Sequence, residues 1–146
     1  MDINVMENKI KLLVNDLDKA TVIEWSYKCA KKALNDGGLN SKEFLELLEI
    51  LNIIKLYLKG LIGVAEARKS ALKAHSIAIK QTDLSKQYLI RAVGHAVASI
   101  HVKTHSLGTV HYIKKMNLIQ DNEIAKQELL WQLTILRRMS KAIDTK

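Results

Sequence analysis

The sequence predicts an all-α protein, a compact single-domain bundle of five to six helices spanning residues 1–146. Proline is absent, which fits long helices joined by short connections, because proline blocks helix interiors. Apolar residues recur every three or four positions, and no strand alternation interrupts them. The stretch 88–116 keeps one helical period throughout, so we expect a long central helix over about residues 85–116.

The first two helices follow directly from this periodicity. An amphipathic first helix over residues 3–17 is indicated by Ile3, Met6, Ile10, Leu13 and Leu17. A second helix over about residues 19–35 follows a candidate cap at Asp18, with Trp25 and Cys29 on its apolar side. Gly37 and Gly38 end it, because glycine readily adopts the left-handed geometry that closes helices.

The third and fourth helices have start signals of the capping-box type. Asn40 with Glu43 predicts a third helix over about residues 41–59, which has only a thin polar stripe and should be heavily buried. Gly63 with Glu66 predicts a fourth helix to about residue 81. One face of the fourth helix is a seam of small side chains, formed by Val64, Ala67, Ala71, Ala74 and Ala78.

The predicted central helix, capped by Thr82 and Asp83, contains four of the five histidines. One of its seams consists of Gly94, Ala98, His101, His105, Gly108 and Tyr112, while Arg91 and His95 belong to its polar face. Glycine costs a helix about 1 kcal/mol relative to alanine, so two glycines on one seam indicate a very close neighbour. We pair this seam with the small-residue seam of the fourth helix and expect no room for an active centre there.

The last helix starts after Asp121 and runs to about residue 142, with Trp131 in its apolar pattern. Trp25 and Trp131 are expected to anchor the core. Cys29 is the only cysteine, which excludes an intramolecular disulfide and a cysteine zinc site. The first ten residues do not resemble a signal peptide, and charged residues interrupt the longest apolar run, so we expect a cytoplasmic protein without a membrane span.

The sequence shows no complete catalytic or metal-binding set. His101 and His105 are four residues apart, as in a helical metal pair, but Val102 replaces the glutamate of the zinc-protease motif and no third ligand has a telling spacing. Glu46 and Glu49 share a helix face with lysines nearby and fit a solvated stripe. We therefore expect no metal, no cofactor and no enzymatic activity.

The net charge of +8 permits a nucleic acid, an anionic membrane or an acidic protein as partner. A basic C-terminal third is formed by Lys114, Lys115, Arg137, Arg138, Lys141 and Lys146. Nucleic-acid or other polyanion binding through this region is the alternative function that the composition leaves open.

Three stretches resemble the bacterial immunity-protein family of polymorphic-toxin loci, in the same order: WSYKCAKKAL at 25–34, AVGHAVASIHVKTHSLGTVHY at 92–112, and ELLWQLTILRR at 128–138. The resemblance covers about residues 19–138, and the first helix lies outside it. It implies an all-helical, non-enzymatic protein that binds and neutralises a partner toxin, as a monomer or homodimer. The motif positions that it marks are Trp25, Cys29, Arg91, Gly94, His95, His101, His105 and Trp131.

Overall fold

The computed structural model describes residues 1–144, and these contain α-helices and no strand. The helices, numbered along the chain, are α1 Ile3–Asp16, α2 Lys19–Asp36, α3 Ser41–Leu51, α4 Ile53–Leu58, α5 Val64–Lys80, α6 Leu84–Ala98, α7 Ser106–Gln120 and α8 Asn122–Asp144. A 3-10 turn, Lys103–His105, precedes α7. The all-α class is confirmed. Over residues 1–144, no helix combines the length and the apolar character needed to cross a membrane.

The helix ends lie where local side chains can satisfy the free backbone groups. The Asp18 carboxylate accepts a hydrogen bond from the Thr21 amide, and Asn40 and Glu43 form a reciprocal capping box. Asp83 accepts from the Lys86 amide at 2.9 Å at the start of α6. These predicted caps are confirmed, because each depends only on residues three positions apart.

The predicted central helix over residues 85–116 is wrong: the chain leaves the helix after Ala98, and Val102 is extended. α7 then runs back along α6, because the Thr109 hydroxyl donates to the Ala92 carbonyl and the rings of Tyr88 and Tyr112 are 6.0 Å apart. The buried Ser99 hydroxyl donates to the Ala96 carbonyl at 2.6 Å, and this local bond competes with helix continuation. Folding back buries apolar residues of both segments, such as Val93, Val97, Val110 and Ile113.

The predicted third helix is also divided, into α3 and α4, at Asn52. The side-chain oxygen of Asn52 accepts a hydrogen bond from the Tyr27 hydroxyl at 3.1 Å, which fixes the break against α2. The expectation of heavy burial is wrong, since Leu45 is 61% exposed and Leu58 is 41% exposed. Neighbouring helices cover only one side of this segment. The two divisions explain why the structure has more helices than the five to six predicted.

α6 still lies in the middle of the molecule, in contact with α2, α3, α5 and α7. The core also includes the apolar face of α1, where Met6, Ile10 and Val14 are fully covered. That face therefore closes over the core, and α1 packs against α8. The candidate functional site lies on the solvent-facing side of the α5–α6 pair.

Candidate functional site

An open cleft of about 310 Å³ lies between α5, α6 and the 3-10 turn. Its floor is apolar and consists of Ala71, Gly94, Val97 and Ala98, with Leu72 at its edge. Its walls carry six basic or titratable side chains: Arg68, His75, Arg91, His95, His101 and His105. We call this site the histidine–arginine cleft. The expectation that close packing would leave no room along this seam is wrong.

The cleft exists because α5 and α6 approach closely along one line only. A Cβ built on Gly94 would lie 3.2 Å from the Ala74 Cβ, so the predicted pairing of the small-residue seams is confirmed at Gly94. Arg68, Leu72 and His75 occupy positions i, i+4 and i+7 on the solvent side of α5. These longer side chains stand as a wall beside the shallow floor, and Leu72 is 66% exposed.

The second glycine of the predicted seam serves a different contact. Gly108 is in α7 and lies against the His95 ring, so near that an added Cβ would be 2.4 Å from Nδ1. The His95 ring is also 5.6 Å from the His105 ring and 5.3 Å from the Tyr112 ring, between centroids. Because Gly108 has no side chain, the His95 imidazole, which forms one wall of the cleft, can pack directly against the backbone of α7.

The surroundings of the His95 imidazole disfavour its charged form. Burial lowers the pKa of the His95 imidazole, and the neighbouring His105 and Arg91 add to this effect. Its Nδ1 atom is buried and has no hydrogen-bond partner among residues 1–144. The positive charge of Arg91 and the burial of the ring act in the same direction, against protonation of this imidazole.

The two arginines of the cleft are poorly neutralised. The Arg91 guanidinium lies 3.4 Å from Nδ1 of His75 and donates a hydrogen bond to it in the tautomer whose proton is on Nε2. Arg68 has no hydrogen-bond or ion-pair partner within the described residues. No aspartate or glutamate is among the residues that line the cleft in the described chain. Both guanidinium groups therefore remain available to an external acceptor.

The surrounding segment concentrates the positive charge of the protein. Residues 64–120, which include α5, α6 and α7, contain nine lysine and arginine residues against two acidic ones, or +7 of the net +8. All five histidines lie in the same segment. The sequence analysis missed Arg68 and His75 as site residues. The signal that could have revealed them is the stripe Arg68, Leu72, His75 and Ile79 on the outer face of an otherwise alanine-rich helix.

Residues 12–139 match the family described as Imm-5 like putative immunity protein. The chain belongs to this family. The resemblance inferred from the three motifs is thereby confirmed, and the match extends it towards the N-terminus into α1. No curated protein and no solved structure matches the chain.

In this member of the Imm-5 like family, the eight motif residues divide into two groups. Arg91, Gly94, His95, His101 and His105 converge on the histidine–arginine cleft. The remaining three lie away from the cleft, Trp25 and Cys29 in α2 and Trp131 in α8. Of the predicted seam residues in the first group, His101 is exposed at the cleft, whereas Gly94 and His105 are half-buried.

The second group of motif residues supports the fold. The buried Trp25 indole donates to the Gln132 carbonyl of α8 at 2.9 Å. Cys29 is fully buried, and this burial raises the pKa of its thiol, which keeps it protonated and unreactive. Trp131 is half-buried beneath the Lys32 ammonium group, which is 5.1 Å from the ring centroid and also pairs with Glu128.

Metal binding by His101 and His105 would require a third ligand, and the described chain places none beside them. Over residues 1–144, no group of three or more histidine, cysteine, aspartate or glutamate side chains has an arrangement that could hold a metal ion. His101 is exposed, whereas His105 is half-buried and close to His95. The pair contributes two walls of the cleft.

The basic C-terminal third is less available for binding a polyanion than the sequence alone predicts. Lys114 forms an ion pair with Glu7 at 3.1 Å, and Lys115 lies 5.4 Å above the Tyr88 ring. Arg138 and Lys141 are exposed, and Arg137 is half-buried. The remaining predicted cation, Lys146, lies outside the described residues.

Proposed function

We propose that this chain binds and neutralises a bacterial toxin stoichiometrically, without turnover, and that the histidine–arginine cleft is part of the contact surface. Membership of the immunity-protein family supports the role. The observation that carries the choice of surface is the convergence of Arg91, Gly94, His95, His101 and His105 on one open cleft. A buried motif would only maintain the fold, whereas an open one is available to a partner.

Binding explains the chemistry of the cleft better than catalysis does. A histidine that acts as a general base is normally oriented by a hydrogen bond to its second nitrogen. In the described chain, Nδ1 of His95 has no such partner, and no carboxylate lines the cleft. The cleft instead offers cations above an apolar floor, an arrangement suited to recognition. We therefore propose a non-enzymatic protein that acts in the cytoplasm, as a monomer or a homodimer.

The test is direct titration with the protein encoded by the adjacent upstream gene, the natural candidate for the toxin. We expect calorimetry to give a fixed stoichiometry and co-expression to restore growth of cells that produce the toxin. Arg91→Ala should weaken binding, whereas Arg138→Ala, an exposed substitution on α8, should not. Absence of binding and of growth rescue with the wild-type chain would refute the proposed function.

The second candidate function is binding of a nucleic acid or another polyanion. It is favoured by the +7 charge of residues 64–120, of which Lys86 and Lys114 are paired with Glu43 and Glu7 outside the segment. Phosphate-backbone binding weakens steeply with salt. A gel-shift titration from low to physiological salt tests it, and failure to bind at low salt removes this candidate.

A further inference from the structure

The chemistry of the histidine–arginine cleft points to the kind of segment that enters it, an inference that rests on the proposed function. We infer that the partner presents an acidic segment in which an aspartate or glutamate carboxylate binds Arg68 and Arg91. A neighbouring apolar side chain of the same segment then covers Leu72 and the small residues of the floor. The occupant is therefore a short protein segment with adjacent acidic and apolar residues.

The unmatched charge of the cleft is the first support. Arg68 has no ion-pair partner among residues 1–144, and the guanidinium of Arg91 contacts the His75 ring. A guanidinium group presents a planar fork of donors that fits both oxygens of a carboxylate. Because no acidic residue of the described chain lines the open cleft, these donors face solvent and can exchange water for a partner's carboxylate.

The apolar floor is the second support, since it distinguishes a protein segment from a simple anion. Leu72 is 66% exposed at the edge of the cleft, next to Ala71, Val97 and Ala98. Covering these atoms favours an apolar side chain, at about 25 cal/mol per Å² removed from water. Exclusion of water also strengthens the neighbouring pair between carboxylate and guanidinium.

The charge around the cleft is the third support. Residues 64–120 carry +7 of the net +8, so the field at this face attracts an acidic partner and repels a basic one. A single-stranded nucleic acid would share the charge preference, but its bases normally stack on aromatic side chains. The described lining of the cleft offers only imidazole rings for stacking and contains no phenylalanine, tyrosine or tryptophan, while its apolar floor suits an aliphatic or aromatic side chain of a peptide. The observations therefore favour an acidic protein segment.

The test begins with random 12-residue peptides displayed on phage and selected on the immobilised full chain. We expect enriched peptides to combine Asp or Glu with an adjacent Leu, Phe or Trp. A leading peptide, synthesised with a fluorophore, is then titrated against the wild-type chain by anisotropy. Replacing its acidic residue by the matching amide should weaken binding about tenfold, as expected for loss of a charged hydrogen bond.

The decisive comparison uses two neighbouring cations of α5. Arg68→Ala removes an exposed side chain that lines the cleft, whereas Lys69→Ala removes the same charge from an exposed position outside the lining. We expect about a tenfold loss of peptide affinity for Arg68→Ala and less than about a twofold change for Lys69→Ala. Arg91→Lys, which keeps the charge but not the fork, should also weaken binding.

Three results would overturn the inference: no enrichment of peptides, enriched peptides without acidic residues, or equal losses for Arg68→Ala and Lys69→Ala. Preferential binding of a single-stranded oligonucleotide that also depends on Arg68 would overturn it in favour of the polyanion. The same variants titrated against the toxin keep the two ideas separate. If the toxin binds both variants equally well, the inference fails and the proposed function survives.

Discussion

The contact between Gly108 and His95 is the most demanding packing feature of the site, and Gly108→Ala tests it. The added Cβ would lie 2.4 Å from the His95 Nδ1, 2.6 Å from Cγ and 2.9 Å from Cε1. Ordinary carbon contacts are about 3.5–4.0 Å. Cγ is joined directly to the Cβ of the ring-bearing residue, so the clash cannot be relieved by the far end of a flexible chain.

Two opposing effects determine how much Gly108→Ala changes the free energy of unfolding. Overpacking of this kind costs about 1–3 kcal/mol, because the His95 ring must rotate or α6 and α7 must separate. Replacing glycine by alanine in a helix interior stabilises by about 1 kcal/mol, which is an upper limit for Gly108 because it lies in the first turn of α7. We therefore expect Gly108→Ala to lower the free energy of unfolding by about 1–2 kcal/mol, within a range of about 0–3.

A double-mutant cycle isolates the contact from the helix propensity. In a His95→Ala background the obstacle is absent, so Gly108→Ala should stabilise by up to about 1 kcal/mol. The coupling between the two positions should then be about 1–3 kcal/mol. Gly94→Ala is the matched control, because its Cβ would lie 3.2 Å from the Ala74 Cβ and 3.7 Å from the Ala71 carbonyl oxygen, and it should be nearly neutral.

The assay is urea denaturation of the four proteins of the cycle, followed by circular dichroism and analysed with a common slope. Additive effects of Gly108→Ala and His95→Ala would refute the reasoning. So would stabilisation by Gly108→Ala in the wild-type background, because the imidazole could not then occupy the position described.

The remaining predictions concern stability and binding. Burial lowers the pKa of His95, so the unfolded chain binds more protons than the folded chain near this pKa. The free energy of unfolding should therefore fall as the pH is lowered through 6.5. Urea denaturation of His95→Gln at pH 7.5 and 5.5 should show a smaller fall than the wild-type chain. Trp25→Phe removes the donor to the Gln132 carbonyl and should cost about 1–3 kcal/mol in urea denaturation, with a smaller loss for the half-buried Trp131→Phe. Asn40→Ala breaks the capping box of α3 and should lower the free energy of unfolding by about 0.5–2 kcal/mol; an unchanged urea midpoint would contradict that assignment. Leu72→Ser should leave the thermal midpoint nearly unchanged but weaken toxin binding in calorimetry, since its side chain is 66% exposed.

Local features of the fold could be predicted from the sequence, because they depend on residues close together in the chain. The caps at Asp18, Asn40 and Asp83 each require one side chain and an amide three residues later. Gly60, with φ of 76°, ends α4 as its residue type suggests.

The hairpin of α6 and α7 could not be predicted in the same way. The turn over residues 99–105 contains no glycine or proline, and the helical period on either side remains nearly in phase. The chain folds back because the apolar faces of the two segments bury each other, which is a tertiary effect that a helical wheel does not contain.

The candidate site shows the same division. The motif drew attention to Arg91, His95, His101 and His105, which the structure does bring together. Arg68 and His75 come from α5, and only the packing of α5 against α6 brings them to the cleft. The sequence predicts no space between these helices, because a seam of small residues suggests close packing along its whole length. In the structure, α5 and α6 approach closely at Gly94 and leave the cleft open on their outer side.

Histidine modification in the toxin complex tests the central claim, that the partner occupies the histidine–arginine cleft, most directly. His75 and His101 are exposed and line the cleft, whereas His111 is exposed but does not line it, and so provides an internal control. Diethyl pyrocarbonate labelling, quantified by mass spectrometry, compares the free chain with the complex. We predict that the toxin slows labelling of His75 and His101 and leaves His111 unchanged. Equal labelling rates of His75 and His101 in the free and bound chain would contradict the account.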